Sequence, residues 1–140
     1  MSHLRRLVVV LAVAVLVLPL VISDAVPMDR AGRFFALGVG RRSCEDFVRF
    51  RQKKLELTPE QYEIAQHVIE HWVAGFLTAH NFYVTDTYDV TGKASPEEMG
   101  QWLESYCKEK PKNYFAEAVI TLSLELHPKR VTAGAVGERR

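Results

Sequence analysis

The chain has 140 residues, 48% of them hydrophobic, with 18 Lys and Arg against 17 Asp and Glu, a formal net charge of +1. That balance argues against a nucleic-acid footprint, which needs a clustered basic surface, and the length allows one small hydrophobic core of marginal stability. Only two cysteines are present, Cys44 and Cys107, so one intramolecular bridge is the single pairing open to them.

Residues 1–25 read as a secretory signal. Arg5 and Arg6 form its charged start, residues 7–22 are an uninterrupted apolar run in which Pro19 would break a helix, and Ser23-Asp24-Ala25 offers small residues for cleavage after Ala25. The apolar run has sixteen residues, short of the roughly 20 that span a bilayer. The reading is a protein exported to the periplasm; the alternative is an uncleaved signal that anchors it in the inner membrane, the only membrane contact expected. The mature chain would hold 16 basic and 16 acidic side chains, unevenly placed: residues 43–127 carry fourteen Asp and Glu against eight Lys and Arg, and basic segments flank them.

Residues 26–42 mix glycine, proline and arginine without helical or strand period, and are expected to be a flexible lead-in. Ser43 and Asp46 then form a helix start, and a first helix is expected from Cys44 to about Glu56. Thr58-Pro59-Glu60-Gln61 combines an N-cap, a first-turn proline and a capping-box glutamine. The helix it opens is expected to run to about Ala79, with Tyr62, Ala65, Val68, Ile69, Trp72, Val73, Phe76 and Leu77 on one face. Gly75 inside it marks either a close backbone approach or a tolerated glycine.

Residues 81–94 favour extended structure and read as a long aromatic loop carrying Phe82, Tyr83 and Tyr88. Ser95-Pro96-Glu97-Glu98 repeats the cap signal and opens a third helix with Met99, Trp102, Leu103 and Tyr106 on one stripe and Cys107 at its end. Pro111 is expected to start a fourth helix facing Tyr114, Phe115, Ala118, Val119, Leu122 and Leu126 inward until His127-Pro128, and residues 128–140 to form a disordered basic tail. The predicted fold is therefore all-α: a small bundle of about four helices over residues 43–127, stapled by a Cys44–Cys107 disulfide joining the first helix to the third. Reduced, buried thiols in a cytosolic protein are the alternative to that bridge.

No constellation argues for catalysis or a cofactor. His67-Val68-Ile69-Glu70-His71 matches an H-x-x-E-H zinc peptidase pattern, but the sequence offers neither a third ligand nor room for a substrate domain, so no metal is expected. The acidic residues read as caps and solvated positions, and Ser43 and Ser95 as caps rather than nucleophiles. Phe82, Tyr83 and Tyr88 are the candidate binding surface, with Trp72 and Trp102 as apolar stripes that unfolding would expose. Such stripes suit a homodimer as well as a monomer core.

Ser43-Cys44-Glu45-Asp46-Phe47, Trp72-x-x-Gly75-Phe76-Leu77 and Trp102-Leu103-x-x-Tyr106-Cys107-x-x-x-Pro111 together resemble the HdeA/HdeB-type group of small periplasmic helical proteins, over about residues 43–127. The resemblance implies one disulfide between distant helices, at Cys44 and Cys107, and an acid-activated holdase that binds unfolding client proteins. The pattern is also similar to that of periplasmic immunity proteins that neutralise secreted cell-wall amidases, which implies one specific protein partner held through residues 81–94. A structural periplasmic protein with neither activity is the third reading. Full protonation of residues 43–127, four histidines included, would change their formal charge from −6 to +12, the driving force for acid loosening under the first reading.

Overall fold

The structure, a computed structural model, describes residues 29, 33–132 and 134–135; the expected signal at 1–25 lies outside them. The chain divides into two units, Met1–Phe34 and Phe35–Arg140. In the first, Arg33 donates from its backbone N–H and from Nε to the two carboxylate oxygens of Asp29, at 2.8 and 2.9 Å. All that follows concerns the second.

The named helices among the described residues of that unit are α1 (Cys44–Arg51), α2 (Pro59–Tyr83), α3 (Pro96–Glu109) and α4 (Phe115–Leu126). Short 3-10 turns at Gly38–Arg41 and His127–Lys129 flank them, and no strand occurs among the described residues beyond two isolated antiparallel bridges, Ser43 with Tyr114 and Asp89 with Val131. The fold is all-α with the Cys44–Cys107 disulfide in place, its Cα atoms 4.7 Å apart and both residues fully buried. The bond joins the first residue of α1 to the last turn of α3, and α4 lies under both, with Phe115, Val119 and Leu122 at 1% exposure or less.

The capping signals act where the sequence places them. Thr58 and Gln61 exchange side-chain and backbone hydrogen bonds at the start of α2, and Ser95 and Glu98 do the same for α3. Three helix boundaries differ from expectation, each for a tertiary or conformational reason.

The first helix stops at Arg51 rather than near Glu56. Lys53 takes a left-handed φ of 53°, while Lys54 N–H donates to Arg49 O and Lys53 N–H to Phe50 O, which is a Schellman closure built on lysine in place of glycine. The second helix continues through Asn81, Phe82 and Tyr83, because the Asn81 side chain accepts from the N–H of fully buried Val90 at 2.8 Å and holds the last turn in register. The connection to α3 therefore spans 84–95 and carries a single aromatic, Tyr88, so the expected aromatic loop at 81–94 is divided between a helix end and a turn-rich segment.

The fourth helix opens at Phe115 rather than Pro111, because the carbonyls of Pro111 and Asn113 accept from the first N–H groups of α1, Glu45 at 3.0 Å and Cys44 at 2.8 Å. Those donors would otherwise be orphaned at a buried helix end. Tyr114, just before α4, faces outward at 58% exposure instead of inward.

Part of the expected lead-in and tail is packed. Gly40 is buried under the Trp72 indole, whose Nε1 donates to Leu37 O at 3.0 Å, and Val131 exchanges backbone hydrogen bonds with Asp89. A Cβ at Gly40 would overlap the Trp72 ring, whereas one at Gly75 would meet nothing within 4 Å, so Gly75 marks no close approach. Gly40→Ala is accordingly expected to destabilise by about 1–3 kcal/mol through overpacking, and Gly75→Ala to stabilise by up to about 1 kcal/mol through helix propensity; chemical unfolding of the two variants checks the opposite signs.

Candidate apolar cleft between the helices

The longest helix is the least covered. Of the 25 residues of α2 only Val73 and Leu77 are buried, and Ile64 and Val68 stand 57% and 53% exposed. Its second half rests on α4 and on the Gly38–Arg41 turn, while α3 packs on α1 and α4. The wedge left between α2 and the α1–α3 pair is an apolar cleft of about 530 Å³.

Phe47 and Phe50 from α1, Ile69, Val73 and Leu77 from α2, and Met99 and Leu103 from α3 line it, with Glu70, His71, Asp89 and Glu97 among its polar residues. Phe50 is steadied by stacking on Tyr62 at 5.5 Å, and the Tyr62 hydroxyl bridges the backbone of Leu55, accepting from its N–H and donating to its carbonyl. An apolar wall with a few polar groups is the usual composition of a ligand pocket.

Charge holds the α1–α3 side of the cleft closed. Arg51 donates from Nε to Glu104 Oε2 at 3.4 Å and pairs with Glu97 at 3.7 Å, and Lys108 Nζ reaches Glu104 Oε1 at 2.8 Å. The Lys108 bond, assisted by Arg51 and opposed by partial burial, keeps the Glu104 carboxyl below its ordinary pKa. Glu98 is likewise lowered, first by the Ser95 backbone N–H and then by its hydroxyl, although Glu98 is fully exposed. Where α2 ends, His80 meets His127 of the turn after α4; burial, then His127 and Arg130, lower the His80 pKa.

All three groups are depressed in the folded state, so their stabilisation is present above the ordinary pKa and is lost as pH falls through the folded one. The His80 contribution is therefore expected to fade below about 6.5 and those of Glu98 and Glu104 below about 4.5. Thermal melts from pH 8 to pH 3 should show Tm falling in those two windows, and Glu104→Gln should flatten the lower one.

The structure separates the residues that the sequence put forward for binding. Phe82 and Tyr83 project from the last turn of α2 at 80% and 81% exposure, their rings edge to face at 5.0 Å. Tyr88 is 60% exposed on the following loop, its N–H bonded to Val131 O. Trp72 is half-buried beside Phe76 and Phe115, each 6.0 Å away, and Trp102 stacks on Tyr106 at 5.5 Å beside a second groove, so the two indoles form no common stripe. Phe50, Ile69 and Met99 escaped notice as binding residues. Ile69 and Met99 read as ordinary core positions, and only the missing partner across the cleft distinguishes them.

His67 and His71 are stacked at 6.2 Å on α2, and among the described residues no group of three or more His, Cys, Asp and Glu is placed to hold a metal ion. Nor is any described helix long and apolar enough to cross a membrane. Compared with family models, curated proteins and solved structures, the chain matches none. The cleft and its electrostatic closure are the observations from which function is argued.

Proposed function

We propose that this chain is a non-enzymatic, exported holdase that takes up apolar segments of unfolding proteins in the cleft between α2 and the α1–α3 pair when the compartment turns acidic. The carrying observation is an apolar cleft, about 530 Å³ in volume, whose α1–α3 wall is tied by the pairing of Arg51 with the carboxylate of Glu104. Protonating that carboxylate removes its pairing with Arg51 of α1 and, within α3, with Lys108, and charging His80 sets it against His127 and Arg130 at the far end of α2. The first change loosens the end of α1 from α3 and the second the end of α2 from the turn after α4, which enlarges apolar surface that is already open. The disulfide does not titrate, so it limits the expansion. It also suits an oxidising compartment such as the periplasm, in line with residues 1–25 acting as a cleaved signal, and the resemblance to the HdeA/HdeB-type group points the same way.

The test is client aggregation. An acid-sensitive protein brought to about pH 3 should stay soluble with an equimolar amount of this chain and aggregate with its Ile69→Arg variant, which sets a permanent charge in the cleft; at pH 7 neither should bind. Unsuppressed aggregation with the parent chain refutes the reading.

One observation favours a second reading, an immunity-like inhibitor that binds one partner at neutral pH. Phe82 and Tyr83 form an exposed aromatic pair at a helix end, a composition enriched at recognition hot spots. A complex captured at pH 7 and lost on Phe82→Ala/Tyr83→Ala, a change expected to leave stability within about 0.5 kcal/mol, would favour it.

A further inference from the structure

His80 and His127 lie 47 residues apart in sequence and come together where the last turns of α2 meet the 3-10 turn after α4. His80 Nε2 and His127 Nδ1 face each other at 3.4 Å, with the rings at 61° and their centroids 5.6 Å apart. Two imidazole nitrogens bound to one tetrahedral ion at about 2.05 Å sit about 3.3 Å from each other. We propose that His80 and His127 form a two-histidine site for a divalent transition ion of the zinc or copper class, with water completing the coordination.

The two nitrogens share a hydrogen bond whose direction depends on the tautomer, and their separation is that of adjacent ligands, so an ion would take the place of the proton they share. Both residues are partly exposed, which leaves a path for the ion and its waters. The pairing of soft-to-borderline nitrogen donors without a carboxylate selects this class over magnesium or calcium, which take oxygen ligands.

The charged groups on the segments that carry or adjoin the pair are Asp86 and Asp89 from the loop, Lys129 at the end of the turn and Arg130 just after it. Lys129 and Arg130 both oppose a cation, and Arg130 is the one that acts on His80. Its guanidinium is engaged elsewhere, pairing with the Asp86 carboxylate at 3.8 Å and donating to the carbonyls of Asp86 and His127 at 3.1 Å each. Neither ring has another hydrogen bond among the described residues to fix its tautomer, and a site without such support binds 10- to 100-fold more weakly than one that has it. The ion would clip the end of α2 to the end of α4, and protons would compete for it as pH falls.

The decisive experiment titrates Zn²⁺ into the oxidised protein at pH 7.5 while the histidine ring signals are followed by NMR. His80 and His127 should shift together at one equivalent, and calorimetry should find that site lost in both His80→Ala and His127→Ala but kept in His67→Ala/His71→Ala. Because the unmodified protein reports directly, a variant that folds poorly does not spoil the test. Shifts confined to His67 and His71, or no shift at any histidine, overturn the proposal.

Discussion

Replacing Cys44 and Cys107 together by alanine is expected to lower stability by about 4 kcal/mol, because the bond closes a separation of 63 residues and cross-linking such a loop removes that much free energy from the unfolded ensemble. The loss is comparable to the net stability of a small domain. It falls on a short element: α1 has eight residues, too few to persist alone, and its start is held by the bond and by the carbonyls of Pro111 and Asn113, while Phe47, Phe50 and Arg51 hold the rest. Urea unfolding of the oxidised protein and the double variant measures the effect, and a difference under about 1 kcal/mol would contradict it. The same variant carries a functional expectation. Without the bond α1 swings free of α3 in acid, the cleft loses a wall, and client protection at pH 3 should fall even where the neutral fold survives.

Phe115→Ala is expected to cost about 3–5 kcal/mol, the range for removing a buried phenylalanine side chain. Phe115 is 1% exposed, and its ring lies 4.5 Å from Phe47 of α1 and 6.0 Å from Trp72 of α2, so one side chain on α4 joins three helices. Its N–H also donates to Arg42 O, drawing in the chain ahead of α1. The loss should be global, with a lower unfolding midpoint and a red-shifted Trp72 emission even in the native state, since the indole loses a wall. A shift of the midpoint without a change in emission would show that α2 does not depend on Phe115 for its seating.

The capped helix starts were legible because their chemistry is local: Thr58 with Gln61 and Ser95 with Glu98 are three residues apart and need no tertiary information. The disulfide was legible from a count. What escaped was decided at a distance. The carbonyls that prevent a helix at Pro111 serve α1, 66 and 69 residues earlier, and the bond that extends α2 through Tyr83 comes from Val90. Lys53 ends α1 in a conformation that its side chain does not advertise. The cleft is the clearest case. Ile69, Val73 and Leu77 form one apolar face by period alone, and period does not say that Val73 and Leu77 are covered while the face beside them stays open.

The central claim is that acid directs client chains into this cleft, and site-specific photo-crosslinking tests it most directly. With a photoreactive residue at Ile69, irradiation at about pH 3 in the presence of an unfolding client should give a crosslinked adduct that is absent at pH 7 and absent when the same probe replaces Lys112 on the exposed 111–113 turn. Adducts of equal yield from Ile69 and Lys112, or adducts formed only from a probe at Phe82, would contradict the account.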